Sequence, residues 1–120
     1  MEVSMLSLII GQLPNGVVEN EHGVLLGVPD VFKFENKRLR FTVRAIFHLG
    51  FWVGSVNVMG RNWGYSGPTM LVYSEKFPSL PLFIESELPY MYQHLVENNE
   101  EATKQSFIKY YEKWKSDHSY

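Results

Sequence analysis

The sequence predicts an α+β fold: a curled antiparallel β-meander of about five to seven strands, followed by two or three C-terminal helices packed on one sheet face. Two observations predict it. Up to residue 74, turn signals such as Pro14-Asn15-Gly16 and Ser66-Gly67-Pro68 separate short runs rich in Val, Ile, Leu and Phe. After residue 78 the apolar residues recur at helical spacing instead. We therefore expect one domain over residues 1–120, with strands mainly in 1–74 and helices mainly in 79–116.

The composition is that of an ordinary globular domain. The chain has 120 residues, of which 45% are hydrophobic and 20% charged, enough for one hydrophobic core. It contains no cysteine, which excludes disulfides and thiolate zinc sites. The N-terminal apolar run lacks the basic flank and the length of a signal peptide, and nothing approaches a membrane span. We expect a cytoplasmic protein without membrane contact.

Seven segments carry the pattern expected of strands, and the clearest pair of them forms a hairpin. The segments are 4–12, 17–20, 23–28, 31–36, 38–48, 51–59 and 68–73. With Leu49-Gly50 as a two-residue turn, although Leu before Gly is a weak turn pair, the two flanking segments sort into two faces. The apolar face then pairs Phe41 with Val58, Val43 with Val56, Ala45 with Gly54 and Phe47 with Trp52. A register slip of one residue would destroy this sorting.

The C-terminal third predicts helices. Ser79 is the expected N-cap of the first one. Its apolar positions are Leu80, Phe83, Ile84, Leu88, Met91, Tyr92 and Leu95. Pro89 should kink this helix or split it near Glu87-Leu88. After Asn98-Asn99 a final helix is expected to run to about Lys115, with Phe107, Tyr110, Tyr111 and Trp114 on one side. Such an aromatic helix predicts self-association, because Tyr and Trp are favoured at interfaces.

Basic residues are concentrated in one window. Residues 33–61 contain a single acid, Glu35, and six cations, namely Lys33, Lys37, Arg38, Arg40, Arg44 and Arg61. Arg38, Arg40 and Arg44 are expected to share one strand face, with His48 further along it. Such a row can grip phosphates or carboxylates. The alternative is the water-facing side of a sheet, neutralised by acids such as Glu35. The pI near 6.1 argues against a dedicated nucleic-acid binder.

The loop "GRNWGYSGP", residues 60–68, is the second candidate site. Arg61, Trp63 and Tyr65 give it a cation and two aromatic rings, as in many ligand-binding loops. Its glycines do not have the spacing of a phosphate-binding loop. The alternative is a long hairpin connection in which glycines take positive φ while Trp63 folds back on the core.

The titratable residues show no catalytic or metal-binding pattern. The four histidines lack metal-ligand spacing, so we expect no metal and no cofactor. His94, with Glu97 three residues on and Glu87 seven back, is the one candidate for acid–base chemistry. The alternative is a partly exposed packing residue. Glu75, Glu85 and Glu87 are interpreted as solvated.

The sequence favours a non-catalytic, self-associating interaction module whose partner is a second copy or another protein. Its expected contact surface is made of Arg38, Arg40, Arg44, Arg61, Trp63 and Tyr65. One alternative is a carrier of a small apolar molecule, or an acid–base enzyme, with a pocket lined by Phe41, Phe47, Trp52, Phe83, Tyr92 and His94. Another is a weak nucleic-acid or polyanion binder that uses the arginine face. The order of elements is shared by many small α+β domains and so indicates no function.

Overall fold

The computed structural model describes residues 13–120. In chain order the elements are β1 (Val18–Glu19), β2 (Leu25–Leu26), β3 (Asp30–Glu35), β4 (Arg40–His48), β5 (Phe51–Met59), β6 (Gly64–Ser66), α1 (Leu80–Glu97) and α2 (Glu101–Asp117). The strand expected at 4–12 lies outside the described residues. The α+β class with C-terminal helices is confirmed. No helix within residues 13–120 combines the length and the apolar character needed to cross a bilayer.

The strands form two antiparallel sheets. The main one is a meander in the order β3-β4-β5-β6, and β1 pairs with β2 in a separate two-stranded ribbon. Four strands in the main sheet are fewer than the five to seven expected. The ribbon stays short because Asn20 reverses the chain, its side chain accepting hydrogen bonds from the backbone N–H groups of His22 (2.8 Å) and Val24 (3.0 Å).

One strand prediction and one loop prediction around residue 65 were wrong. In the segment expected as a strand at 68–73, Met70 makes only an isolated bridge to Val24, and residues 70–74 form a turn. Ser74 closes this turn, since its N–H donates to Met70 O and its Oγ accepts from Met70 N, both at 2.9 Å. The strand lies earlier, at β6, within the segment expected to be a loop. A hydrogen bond from Gly60 N to Trp63 O (2.8 Å) closes the β5–β6 turn and lets Tyr65 pair with Val58.

The central hairpin of β4 and β5 has the predicted register. Phe41 pairs with Val58, and the pairing continues without a bulge to His48 and Phe51. Leu49 (φ 52°) and Gly50 (φ 84°) both lie in the left-handed region, as a type I′ turn requires. The alternation of residue types therefore determines the pairing, even though leucine is a poor residue for this turn.

The main core lies between this hairpin and the helices. Its buried residues are Phe32, Phe34, Leu39, Phe41, Val43, Ala45, Val56 and Val58 from the sheet side, and Leu80, Phe83, Ile84, Leu88, Met91, Leu95, Phe107 and Tyr111 from the helices. The predicted N-cap is confirmed, because Ser79 Oγ accepts a hydrogen bond from Leu82 N at 3.3 Å. Both predicted apolar helix faces therefore cover the same side of the sheet.

The opposite face of the hairpin is only partly open to water. Arg40 and Arg44 are exposed there, but Ile46 and Val53 are buried in a second cluster with Val17, Leu25 and Leu71. The β1–β2 ribbon and the turn after Thr69 cover this half of the face. The expectation of a uniformly water-facing side is therefore corrected.

Helix α1 continues through Pro89. It runs unbroken from Leu80 to Glu97, so the proline does not split it. The chain then leaves the helix at Asn98, and Asn99 (φ 58°) takes the left-handed conformation that asparagine tolerates. The predicted break at Asn98-Asn99 is confirmed, and α2 begins two residues later.

Candidate functional site

Each arginine of the predicted row is paired with a carboxylate. Arg40 contacts Glu35 (3.3 Å) and Arg44 contacts Asp30 (3.2 Å), both from the neighbouring strand β3. The hydrogen bond from Arg40, reinforced by Lys33, lowers the pKa of the Glu35 carboxyl. These two arginines therefore lie on one face as predicted, but with their charges compensated within the domain.

Arg38 does not belong to this face. It lies in the turn before β4, where Asn36 Oδ1 accepts hydrogen bonds from the N–H groups of Arg38 (2.8 Å) and Leu39 (2.9 Å). Its guanidinium contacts Glu100, next to the start of α2, at 3.3 Å. Alternation with a period of two predicts Arg38 on the strand, but the strand begins only at Arg40.

Trp63 and Tyr65 pack on α1 instead of joining the arginines. The indole of Trp63 stacks on the His94 ring with centroids 4.6 Å apart and planes at 11°. Tyr65 meets Tyr90 edge to face at 4.8 Å. A Cβ on Gly60 would lie only 2.6 Å from Trp63 Cζ2, so glycine is needed there for close packing. The loop glycines 60, 64 and 67 do not have positive φ, which corrects that expectation.

This aromatic cluster (Trp63, Tyr65, Tyr90, His94) has unusual electrostatics. Within residues 13–120, Trp63 Nε1 and Tyr65 Oη are buried without a hydrogen-bond partner. Burial, and then the charge of Glu87, raise the pKa of Tyr65, while burial and the charge of Glu75 raise the pKa of Glu87. In the part of the chain that the structure describes, the His94 ring contacts other rings and bonds to no carboxylate. The geometry is that of packing, not of an acid–base pair.

Four residues of the predicted apolar pocket, Phe41, Trp52, Phe83 and Tyr92, belong to the main core or pack against it. Phe41 and Phe83 are buried in the main core. Tyr92 packs on its edge, 6.1 Å from the ring of Phe107. Phe47 and Trp52 are paired at the end of the hairpin, and His94 belongs to the aromatic cluster. The structure therefore gathers four of the six side chains at the main core, with Phe47 exposed beside Trp52 and His94 in the aromatic cluster.

The largest exposed apolar side chains of the sheet lie around the β4–β5 turn. Phe47 is 54% exposed, Leu49 59% and Phe51 45%. Two more, Val72 (69%) and Tyr73 (81%), lie in the segment between the sheet and α1. We call these five residues the hairpin end.

Core contacts on either side of Val72 and Tyr73 place these two residues at the same end of the sheet as the β4–β5 turn. Leu71, next to Val72, packs in the cluster that contains Ile46 and Val53. Phe77 then pairs with Trp52, with N···O distances of 2.6 and 2.9 Å. The segment 71–77 therefore runs beside the hairpin where the turn projects.

The β4–β5 part of the hairpin end is uncharged and carries backbone strain, whereas Glu75 and Lys76 follow Tyr73 in the other segment. Residues 45–54, "AIFHLGFWVG", contain no Asp, Glu, Lys or Arg. Leu49 has φ 52°, a conformation that asparagine and glycine adopt far more readily than leucine. The signal in the sequence is the unfavourable Leu49-Gly50 turn pair, which places an apolar side chain at a turn.

A metal site and a charged ligand site have less support in the described residues. Within 13–120, no three side chains among His, Cys, Asp and Glu are grouped to bind a metal ion. The depression beside Arg38 and Arg40 is lined by charges of both signs, because Glu35 faces it together with Lys37. A comparison with protein-family models, with curated proteins and with solved structures found no match to this chain.

Proposed function

We propose that this chain is a non-catalytic protein-interaction module, and that its contact surface is the hairpin end. The observation that carries the proposal is the exposure of five large apolar side chains at one end of the sheet, where residues 45–54 carry no charge. Single exposed apolar residues are normal on a protein surface, whereas a contiguous group of them is typical of a contact surface.

The conformation of Leu49 supports the same surface. A non-glycine residue in the left-handed region costs about 1–2 kcal/mol, and a mostly exposed leucine side chain recovers little of this by burial in its own domain. Asparagine at this position would give a better turn and a more soluble surface. An interaction role explains why an apolar side chain is found where local stability disfavours it.

The ion pairs weigh against the polyanion alternative. A polyanion would have to displace Glu35 from Arg40 and Asp30 from Arg44 before either arginine could bind it fully. The net charge of −2 gives no long-range attraction for such a partner. We therefore assign the contact surface to the hairpin end and not to the arginine face predicted from the sequence.

Photo-crosslinking in the cells that make this protein tests the proposal. A photoreactive residue replaces Leu49, and the matched control replaces Val96 of α1, which has a similar exposure of 52%. We expect a discrete covalent adduct from position 49, its partner identified by peptide mass, and several-fold less from position 96. Equal or absent adducts at both positions would overturn the assignment of the hairpin end as a contact surface.

A further inference from the structure

We infer that the occupant of the hairpin end is a second copy of this chain, with two hairpin ends packed against each other about a two-fold axis. This inference rests on the proposed function. In such an isologous contact each copy presents the same patch, so the patch must be compatible with itself. The hairpin end meets this condition because residues 45–54 carry no formal charge, and Glu75 and Lys76, which follow Tyr73, have opposite signs.

The edges of the sheet provide poorer routes to a dimer. On the β3 edge the carbonyl of Lys33 already accepts a hydrogen bond from Tyr110 Oη at 2.9 Å, and Lys33 and Glu35 place charges there. Such features protect an edge from pairing with another chain. The strand at the other edge, β6, has only three residues. We therefore expect two copies to associate through side-chain packing at the hairpin end and not by pairing of sheet edges.

The exposed apolar area of the hairpin end indicates how strong a contact between two copies can be. If each exposed side chain of the hairpin end offers roughly 100–150 Å², the five offer about 600 Å² per copy. Because Phe47 and Phe51 lie on opposite faces of the hairpin, a symmetric contact then buries at most about 1,200 Å² in total, at the lower limit of specific interfaces. We expect a reversible dimer with a Kd in the micromolar range, on the order of 1–100 µM.

Leu49 lies at the centre of this arrangement. The two-residue turn places Leu49 at the tip of the hairpin, between Phe47 and Phe51 in sequence. Because the backbone of the turn is already ordered before contact, it loses little conformational freedom on binding, which favours association. Leu49→Asn removes the apolar side chain while giving the turn its preferred Asn-Gly sequence. This variant therefore separates association from folding.

Sedimentation equilibrium of the purified full chain, up to about 0.5 mM, tests the inference. We expect a monomer–dimer equilibrium for the wild type and for the control Val96→Asn. For Leu49→Asn we expect a Kd at least tenfold higher, with a Tm no lower than that of the wild type.

Two results would overturn the inference, and they differ in what they imply for the proposed function. A wild type that stays monomeric at all concentrations rejects the second copy alone, because an adduct of position 49 with a different protein would still support the interaction module. An unchanged dimer in Leu49→Asn places the dimer contact elsewhere and rejects the inferred interface.

Discussion

At the scale of single residues, two positions of the central hairpin show how the backbone is constrained by its neighbours. Leu49 lies in the left-handed region with an exposed side chain, and Gly54 lies in mid-strand, where glycine is normally unfavourable. At Gly54 the reason is the close approach of both β4 and α1: a Cβ there would collide with the backbone carbonyl oxygen of Arg44, and it would lie 2.7 Å from Ala45 Cβ and 2.8 Å from Phe83 Cε2 of α1. Glycine allows the helix to approach the sheet.

The first prediction concerns this close approach. Gly54→Ala forces Phe83 or the strand to move, and overpacking of this kind costs about 1–3 kcal/mol. We expect the free energy of unfolding in urea to fall by that amount. Gly67→Ala is the matched control, because a Cβ on Gly67 meets nothing within 4 Å. Equal stability of the two variants would show that α1 does not pack on Gly54 as described.

The second prediction concerns alkaline pH. Burial raises the pKa of Tyr92 from its ordinary 10.0 to about 12, and burial together with the hydrogen bond to Glu85 (2.7 Å) raises that of Tyr111. Because the folded state holds these protons more tightly than the unfolded chain, their stabilising contribution is complete below pH 10. It is lost as the pH rises towards 12 and above.

Denaturation in urea at a series of pH values from 8 to about 12 measures this loss. We expect the wild type to lose stability above pH 10 and Tyr92→Phe to lose less. The control is Tyr120→Phe, whose side chain is largely exposed. A stability that is independent of pH in this range would contradict the assigned burial of the tyrosines.

At the scale of elements, the β4–β5 hairpin was predictable and its surroundings were less so. Alternation in two strands joined by a short turn leaves one register, and it is the one observed. By contrast, β6 lies in a glycine-rich segment without alternation, and the apolar run near Leu71 is a turn that packs on Ile46 and Val53. Both depend on contacts between distant parts of the chain.

The candidate sites also depend on contacts between residues that are far apart in the sequence. Pairing of Arg40 with Glu35 was foreseeable from neighbouring strands, but Glu100 is 62 residues away from Arg38. The stacking of Trp63 on His94 likewise joins a loop and a helix that the sequence treats as unrelated. Local patterns therefore identified the residues, and only the tertiary fold shows which of them meet.

Helix α1 gives the third prediction. Pro89 lacks the N–H that would donate to the carbonyl of Glu85, and an interior proline costs a helix up to about 3 kcal/mol. We expect Pro89→Ala to raise the Tm by several degrees in a thermal unfolding scan. Pro81→Ala, in the first turn where proline is tolerated, should change the Tm little. A lower Tm for Pro89→Ala would mean that the proline is required for the observed path of α1.

At the scale of the whole molecule, the distribution of charge and apolar surface gives each end of the sheet a different character. The end near Arg38 and Glu100 is charged and internally paired. The opposite end exposes Phe47, Leu49 and Phe51 without a charged neighbour in the hairpin. The helices cover the middle of the sheet, so the turn of the hairpin remains accessible to another copy.

The most direct test of this account is a dilution series of two-dimensional ¹H–¹⁵N spectra of the labelled chain. We predict concentration-dependent shifts of backbone amides within 46–53 and 71–74, with little change in α2 or around Arg38 and Arg40. The same series for Leu49→Asn should show no such shifts. Spectra that do not change with concentration, or shifts confined to the arginines or to α2, would contradict the assignment of the hairpin end as the self-association surface.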